Sequence, residues 1–356
     1  MKTRDIIKIE NRAFGKDTFE IRWRVTSLCN YRCEFCIQGD HDRHVRDAQG
    51  ETAEIRLEIC RALRGFLDGL TGYRRVRIHL IGGEITILKD LPLLVDLLAQ
   101  SSFPGGIDFQ ITTNFSAAAE YYTRLADIMK RSSRANQRRH LQLAASFYPA
   151  YVSREEFIEK IRAVHPSPGA CFSVLDRIWR SFCPGKKGAS VFSLSVGYPI
   201  LTDRDYADLL EMRKRLRIPV HPVWIREFRT DLSSATRGKM MNEIWQKRKL
   251  LVTDRTGKVF GVQNIQALGS ALEDRDSFCP EGYLCDAGVN SFWVNAFGDV
   301  FRCPAKGREM KLGSILGGGF TMLSEPKPCM SEHCNCSEFG VIETKEREHG
   351  AAELNA

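Results

Sequence analysis

The sequence predicts an α/β protein: an open, partial (β/α)6 barrel of the TIM type, then a small cysteine-rich region of β-hairpins and helix. Three observations predict it. Short apolar runs alternate with amphipathic stretches up to residue 225, a βα rhythm that builds parallel sheets. The texture turns to glycine-rich hairpin patterns after residue 250. The chain has 356 residues, too many for one core of ordinary size, so a large domain plus a smaller one is expected.

Six runs read as strands: "FEIRWRV" (19–25), "VRIHLIG" (76–82), "IDFQITT" (107–113), "LQLAASF" (141–147), "VFSLSVG" (191–197) and "IPVHPVWI" (218–225). Helical patterns lie between them. "TAEIRLEICRALRGFLDGL" (52–70) has apolar residues three and four apart, with Thr52 placed as a cap. Further helices are expected near 90–100, 118–131, 153–164 and 203–216. A full eight-unit barrel takes about 250 residues, so six units in roughly 220 fit a partial one. "KLLVTDRTGKVFGV" and "NSFWVNAFGDVFRC" read as hairpins around Thr-Gly and Phe-Gly-Asp turns. "SILGGGF" (314–320) reads as a flexible turn. The expected division is 1–250, 251–345 and a frayed tail, 346–356.

Hydrophobic residues make up 43% of the chain and charged residues 27%, an ordinary globular balance. No window has the run of about 18 apolar residues a membrane span needs. The N-terminus, "MKTRDIIKIENRAFGKD", has no apolar core of a secretory signal, so a reducing cytoplasm is the expected location. The net charge is +8, densest at Lys130 to His140. That run reads as a solvated helix end, and no nucleic-acid-binding motif accompanies it.

In a reducing compartment, clustered cysteines bind metal or do redox chemistry more often than they form disulfides. The 12 cysteines fall into two groups. Cys29, Cys33 and Cys36 lie close together, while Cys279, Cys285, Cys303, Cys329, Cys334 and Cys336 lie near the other end. Cys60, Cys171 and Cys183 are isolated. Cys60 reads as a small buried hydrophobe. Cys171 or Cys183 would suit a hydrogen-atom donor if the reaction is an epimerisation.

The first group, "CNYRCEFC", directly follows the first predicted strand, at the strand end where barrel enzymes place their chemistry. With His41 or His44 it would make a zinc site of three cysteines and one histidine. The other reading is an iron–sulfur cluster held by three thiolates, with one iron left open. The spacing Cys29-x3-Cys33-x2-Cys36, with Phe35 before the last cysteine, resembles the CxxxCxφC signature of the radical S-adenosylmethionine (SAM) superfamily. The resemblance implies a [4Fe-4S] cluster whose open iron is chelated by SAM. It implies electron transfer to the sulfonium and release of a 5′-deoxyadenosyl radical, with Phe35 near the adenine. An external donor of the flavodoxin or ferredoxin type is implied too.

"VRIHLIGGEIT" supports the resemblance: Gly82, Gly83 and Glu84 follow a strand, as the family's GGE motif does. Two glycines let backbone approach a ligand, and Glu84 can accept a charge-assisted bond from an ammonium group. "ITTN" (111–114) and Ser146 end the next two strands, and the resemblance gives Ser146 a ribose contact.

The C-terminal pattern, Cys285-Asp286-Ala287-Gly288 and then Gly298 to Cys303, resembles the SPASM/Twitch extension of radical SAM enzymes. That implies at least one auxiliary iron–sulfur cluster. Cys329-x4-Cys334-x-Cys336 departs from the usual spacing. Six cysteines cannot supply eight thiolates for two fully ligated clusters. Structural zinc using four of the six is the other reading.

The reaction implied is C–H hydrogen abstraction from a polar small molecule of the sugar, aminoglycoside or nucleoside type, with dehydrogenation or epimerisation in a biosynthetic pathway. A peptide substrate is the alternative. Only 28 residues precede Cys29, which argues against an N-terminal leader-recognition module. A redox protein without catalysis is a third reading, and the GGE motif speaks against it.

Overall fold

A computed structural model describes residues 5–11, 17–34, 36, 41–133, 138–165, 191–216, 218–223, 231–246, 250–262, 268, 278–304, 310–317, 319–331, 334 and 340–344. In chain order the elements begin with β1 (Ile6–Asn11), β2 (Thr18–Thr26), α1 (His41–Asp47), α2 (Ala53–Gly69), β3 (Arg75–Gly82), α3 (Leu91–Ala99), β4 (Gly106–Thr113) and α4 (Ala119–Ser132). They continue with β5 (Arg139–Ser146), α5 (Arg154–Val164), β6 (Phe192–Pro199), α6 (Asp203–Leu216), β7 (Val220–Val223), α7 (Ser234–Gln246), β8 (Leu250–Asp254) and β9 (Val259–Val262). Last come β10 (Leu284–Cys285), β11 (Ser291–Val294), β12 (Asp299–Phe301), β13 (Lys311–Ser314), β14 (Lys327–Pro328) and β15 (Val341–Glu343). They divide into two compact units, Trp23–Thr236 and Met1–Arg22 with Arg237–Ala356.

In the first unit, β3, β4, β5, β6 and β7 pair in that order, all parallel. This is the α/β fold the alternation predicts. Each expected strand and helix is found within about two residues of its reading for most ends, with β7 shorter. The local causes are visible. Thr52 caps α2 by accepting the Ile55 N–H at 3.3 Å, and Ser153 caps α5 by accepting that of Glu156 at 3.2 Å. The apolar stripe of α2 buries Ile59, Cys60, Leu63 and Leu67, each side chain of this size contributing about 1.5–3 kcal/mol. Cys60 is a core residue, as expected, its thiol donating to the Leu94 carbonyl at 3.3 Å. At the foot of β5, the fully buried Arg139 guanidinium donates to the carbonyls of Ala99, Ser101, Phe103 and Gly105. It thereby pins the turn between α3 and β4.

In the second unit, β1 pairs antiparallel with β8 and β15. The β8–β9 hairpin turns at Gly257 (φ 81°), and the β11–β12 hairpin turns at Gly298 (φ 85°). Both match the expected turn residues, because φ > 0 favours glycine. The division differs from the expected break at residue 250. Residues 1–22 and 237–250 belong with the cysteine-rich region. The physical reason is β1, which buries Ile6 and Ile9 in one cluster with Leu250, Val252, Val262 and Ile342.

Candidate functional site

The cysteine loop leaves β2 at Thr26 and is gripped at its root. Glu51 accepts from the Thr26 hydroxyl at 2.5 Å and from the Ser27 N–H at 2.8 Å. His44, 5% exposed, holds the other side of Ser27 through Nδ1, 2.9 Å from the carbonyl. A carbonyl only accepts, so Nδ1 carries the hydrogen. The Nε2 of the same ring lies 3.3 Å from Cys36 Sγ.

Further along, the Tyr31 N–H donates to Cys29 Sγ at 3.4 Å. The Tyr31 ring stacks on Tyr151 with centroids 4.0 Å apart, and the Arg32 N–H donates to the Tyr151 hydroxyl at 2.7 Å. The three thiols are free and half-buried. Burial pushes the Cys33 thiol up to about 11, and the charges of Cys29 and Cys36 push the same way. Burial also raises Cys29. Burial pushes the Tyr148 phenol to about 12, with all three thiols adding to the rise, so Tyr148 sits beside the whole triad.

Gly82 and Gly83 leave room for the chain's own backbone. A Cβ on Gly82 would meet the Thr26 carbonyl oxygen at 2.3 Å, and one on Gly83 would meet that of Leu28 at 2.1 Å. They admit the chain's own cysteine loop. The Gly83 N–H donates to Thr26 O at 3.0 Å and the Glu84 N–H to Leu28 O at 2.7 Å.

The Glu84 carboxylate also has partners within the chain. It is 1% exposed and turned inward. Oε1 accepts from the Thr86 N–H (2.9 Å), the Thr86 hydroxyl (2.6 Å) and the Thr113 hydroxyl (2.8 Å), while Oε2 accepts from the Asn114 N–H. Its carboxyl pKa is raised by burial, against the pull of those donors. Asn114 in turn donates to the Asn30 side chain at 2.8 Å, and Asn30 donates to Ser116 at 2.9 Å. Glu84 therefore fastens the β4 end to the residues flanking Cys29. Ser146 closes β5, and its side chain pulls the Tyr148 phenol down against the rise from burial. Phe35, Cys171, Cys183 and Cys336 lie outside the described residues.

The second group of cysteines converges as well. Cys285, Cys303, Cys329 and Cys334 are buried in one apolar cluster, and Cys279 is half-buried. Burial pushes Cys285 up to about 12, and the Cys329 charge adds to the rise. Burial also raises Cys329, which feels Cys303 and Cys279. The scaffold explains the meeting. β10 pairs with β14, and the Cys329 N–H donates to Tyr283 O at 2.8 Å. The Cys334 N–H donates to Phe278 O at 3.2 Å. Among the described residues no three His, Cys, Asp or Glu side chains converge on one point where a single ion would sit.

No family model matches the chain. Curated relatives do match over part of it. A GTP 3',8-cyclase of Xanthomonas campestris is 31% identical over 101 residues, 28% of this chain and 28% of that protein. The one of Acidothermus cellulolyticus is 34% identical over 119 residues, 32% of this chain and 30% of that protein. These relatives are radical SAM proteins. Over that matched stretch the chain is similar to radical SAM proteins. The match spans under a third of each relative's length. Two solved radical SAM structures also align, loosely. Native anSMEcpe with bound AdoMet and Cp18Cys peptide gives TM-score 0.46 at 13% identity, covering 84% of this chain and 77% of that one. Streptococcus suis SuiB bound to S-adenosylmethionine gives 0.47 at 13%, covering 84% and 62%.

A radical SAM protein carries a [4Fe-4S] cluster and SAM, and the donor set here fits them. Three free thiols share one loop at the C-terminal edge of the sheet, and no fourth cysteine stands in that loop. Sequence pattern marks His44 only as a metal ligand and leaves Glu51, Asn30, Tyr31, Tyr148 and Tyr151 unmarked. The Tyr148 and Tyr151 signal was there, two aromatics just past a strand end. The Glu51 grip carried none, because it depends on how α2 returns to the loop.

Proposed function

We propose that the chain cleaves SAM reductively and uses the radical to abstract a C–H hydrogen from a polar small molecule. The observation that carries this is the half-buried triad of free thiols, Cys29, Cys33 and Cys36, on a loop held at its root by Glu51, His44 and the Glu84 network. The three cysteines hold the cluster, and the bound cluster with SAM supplies the electron and the radical. The chain's own residues hold the root of the loop, and Phe35 and Ser146 would contact SAM in a partial (β/α)6 barrel. Glu84 acts by positioning Asn114 and Leu28. Cys279, Cys285, Cys303, Cys329, Cys334 and Cys336 supply at least one auxiliary cluster in a SPASM/Twitch-type domain. A flavodoxin- or ferredoxin-type donor delivers electrons in the cytoplasm.

The substrate is a sugar, aminoglycoside or nucleoside, and the outcome is dehydrogenation or epimerisation. Support for the nucleoside end of that class comes from relatives named for a reaction on GTP.

The test is anaerobic reconstitution with SAM and dithionite. Formation of 5′-deoxyadenosine by the wild type, lost when Cys29, Cys33 and Cys36 are all changed to Ala, is expected. A protein that binds iron yet leaves SAM intact is a redox protein, and the reading fails. Deuterated substrates then decide the class. Deuterium reaching 5′-deoxyadenosine from a nucleoside or sugar is expected, and transfer from a peptide alone overturns the substrate assignment. Iron counting of the triple variant is the third arm, with about four irons expected for one auxiliary cluster and about eight for two. Zinc without iron there makes the C-terminal site structural.

A further inference from the structure

Arg302 stands in the middle of the second cysteine group. It is 5% exposed, and its guanidinium donates to four backbone carbonyls. Those are Ala287 (2.8 Å), Pro328 (3.0 Å), Cys285 (2.6 Å) and Lys327 (2.6 Å). One of these carbonyls belongs to Cys285 itself, and two belong to the residues just before Cys329. Arg302 is also the chain neighbour of Cys303. One side chain therefore ties together the segments that bring in three of the thiols.

The charge needs an account. A buried cation is costly unless an anion or a metal site compensates it. Carbonyls satisfy the N–H groups but add no negative charge. Among the described residues no carboxylate lies within ion-pair distance of Arg302. Asp286 feels the guanidinium, and its Oδ1 accepts the Gly340 N–H at 2.8 Å. Further anionic charge next to Cys285, Cys303 and Cys329 would stabilise the guanidinium. A cluster on deprotonated thiols carries that charge and gains one more negative charge when reduced. A fixed cation beside it favours the reduced form, since net charge and hydrogen bonding set cluster potentials. The planar fork of arginine suits the four-way carbonyl grip better than the point charge of lysine.

We propose that Arg302 is the built-in counter-charge of the auxiliary cluster, a positioning residue that locks its ligand segments together and raises its reduction potential. This rests on the auxiliary-cluster reading above.

The experiment is a redox titration followed by electron paramagnetic resonance. It uses the full chain with Cys29, Cys33 and Cys36 changed to Ala, so that only the C-terminal cluster is read. Arg302→Gln in that background is expected to keep its iron and to lower the reduced-to-oxidised ratio at fixed potential at least tenfold, about 59 mV for one electron. Arg302→Lys keeps the charge and is expected to stay within tenfold. If the Gln chain does not fold or loses its iron, the Lys chain decides. A smaller fall with Gln at full iron overturns the proposal, and so does a tenfold or larger fall with Lys at full iron. A parent chain that holds no iron overturns both this role and the auxiliary cluster. Iron held with an unmoved potential overturns only the role of Arg302.

Discussion

Glu84 gathers four donors onto one buried carboxylate, so its removal strands Thr86, Thr113 and Asn114 inside the protein. A buried donor left without its partner costs about 1–3 kcal/mol. Glu84→Ala is therefore expected to lower unfolding stability by at least that range in denaturant melts, and to weaken iron loading through the loosened Asn114–Asn30 link. Glu84→Gln places an amide N–H against at least one of the facing donors and is expected to recover only part of the loss. The thiols give a pH prediction. Iron binds the thiolate, and burial holds Cys33 at about 11 and raises Cys29, so both are protonated near neutrality. Each must release a proton on loading, so apparent affinity rises with pH, about tenfold per unit for each thiol. Chelator competition at pH 7 and 8 is expected to show about a hundredfold gain from these two thiols. A flat profile defeats it. The residue types of this site were legible in the sequence. The inward turn of Glu84 was not, because a side chain's direction depends on donors 29 and 30 residues further along the chain.

At the scale of elements, the glycines at the end of β3 set how closely the cysteine loop can lie. A methyl on Gly83 would sit 2.1 Å from the Leu28 carbonyl oxygen, and backbone cannot yield that much without moving the loop. Gly83→Ala is expected to cost the N-terminal cluster, about four irons per chain, while C-terminal iron stays. Equal loss from both sites would show a general folding defect instead. The repeat of strands and helices in Trp23–Thr236 was readable because each element carries its own period, caps and breakers. β1 was not. Its six residues, "IIKIEN", are too short for a period to speak, and its partners lie some 240 to 330 positions away, at β8 and β15.

For the whole molecule, β1 decides where the chain divides. Ile9 is fully buried in the cluster that also holds Cys285, Cys303, Cys329 and Cys334. Truncating a core isoleucine to alanine costs about 2–5 kcal/mol. Ile9→Ala is expected to destabilise the unit built from both chain ends and to lower C-terminal iron retention, with the N-terminal cluster retained. Calorimetry and iron counts on the variant check this. The sequence by itself determined the α/β class, the two cysteine groups and the radical SAM signature, because these are written in local period and spacing. Tertiary structure alone decided that the N-terminal strand serves the C-terminal unit. It also decided that Gly82 and Gly83 make room for the protein's own backbone, and that Arg302 stands among the distant thiols. The reason is physical: long-range strand pairing and burial join residues hundreds of positions apart, and no local pattern encodes which distant groups will meet.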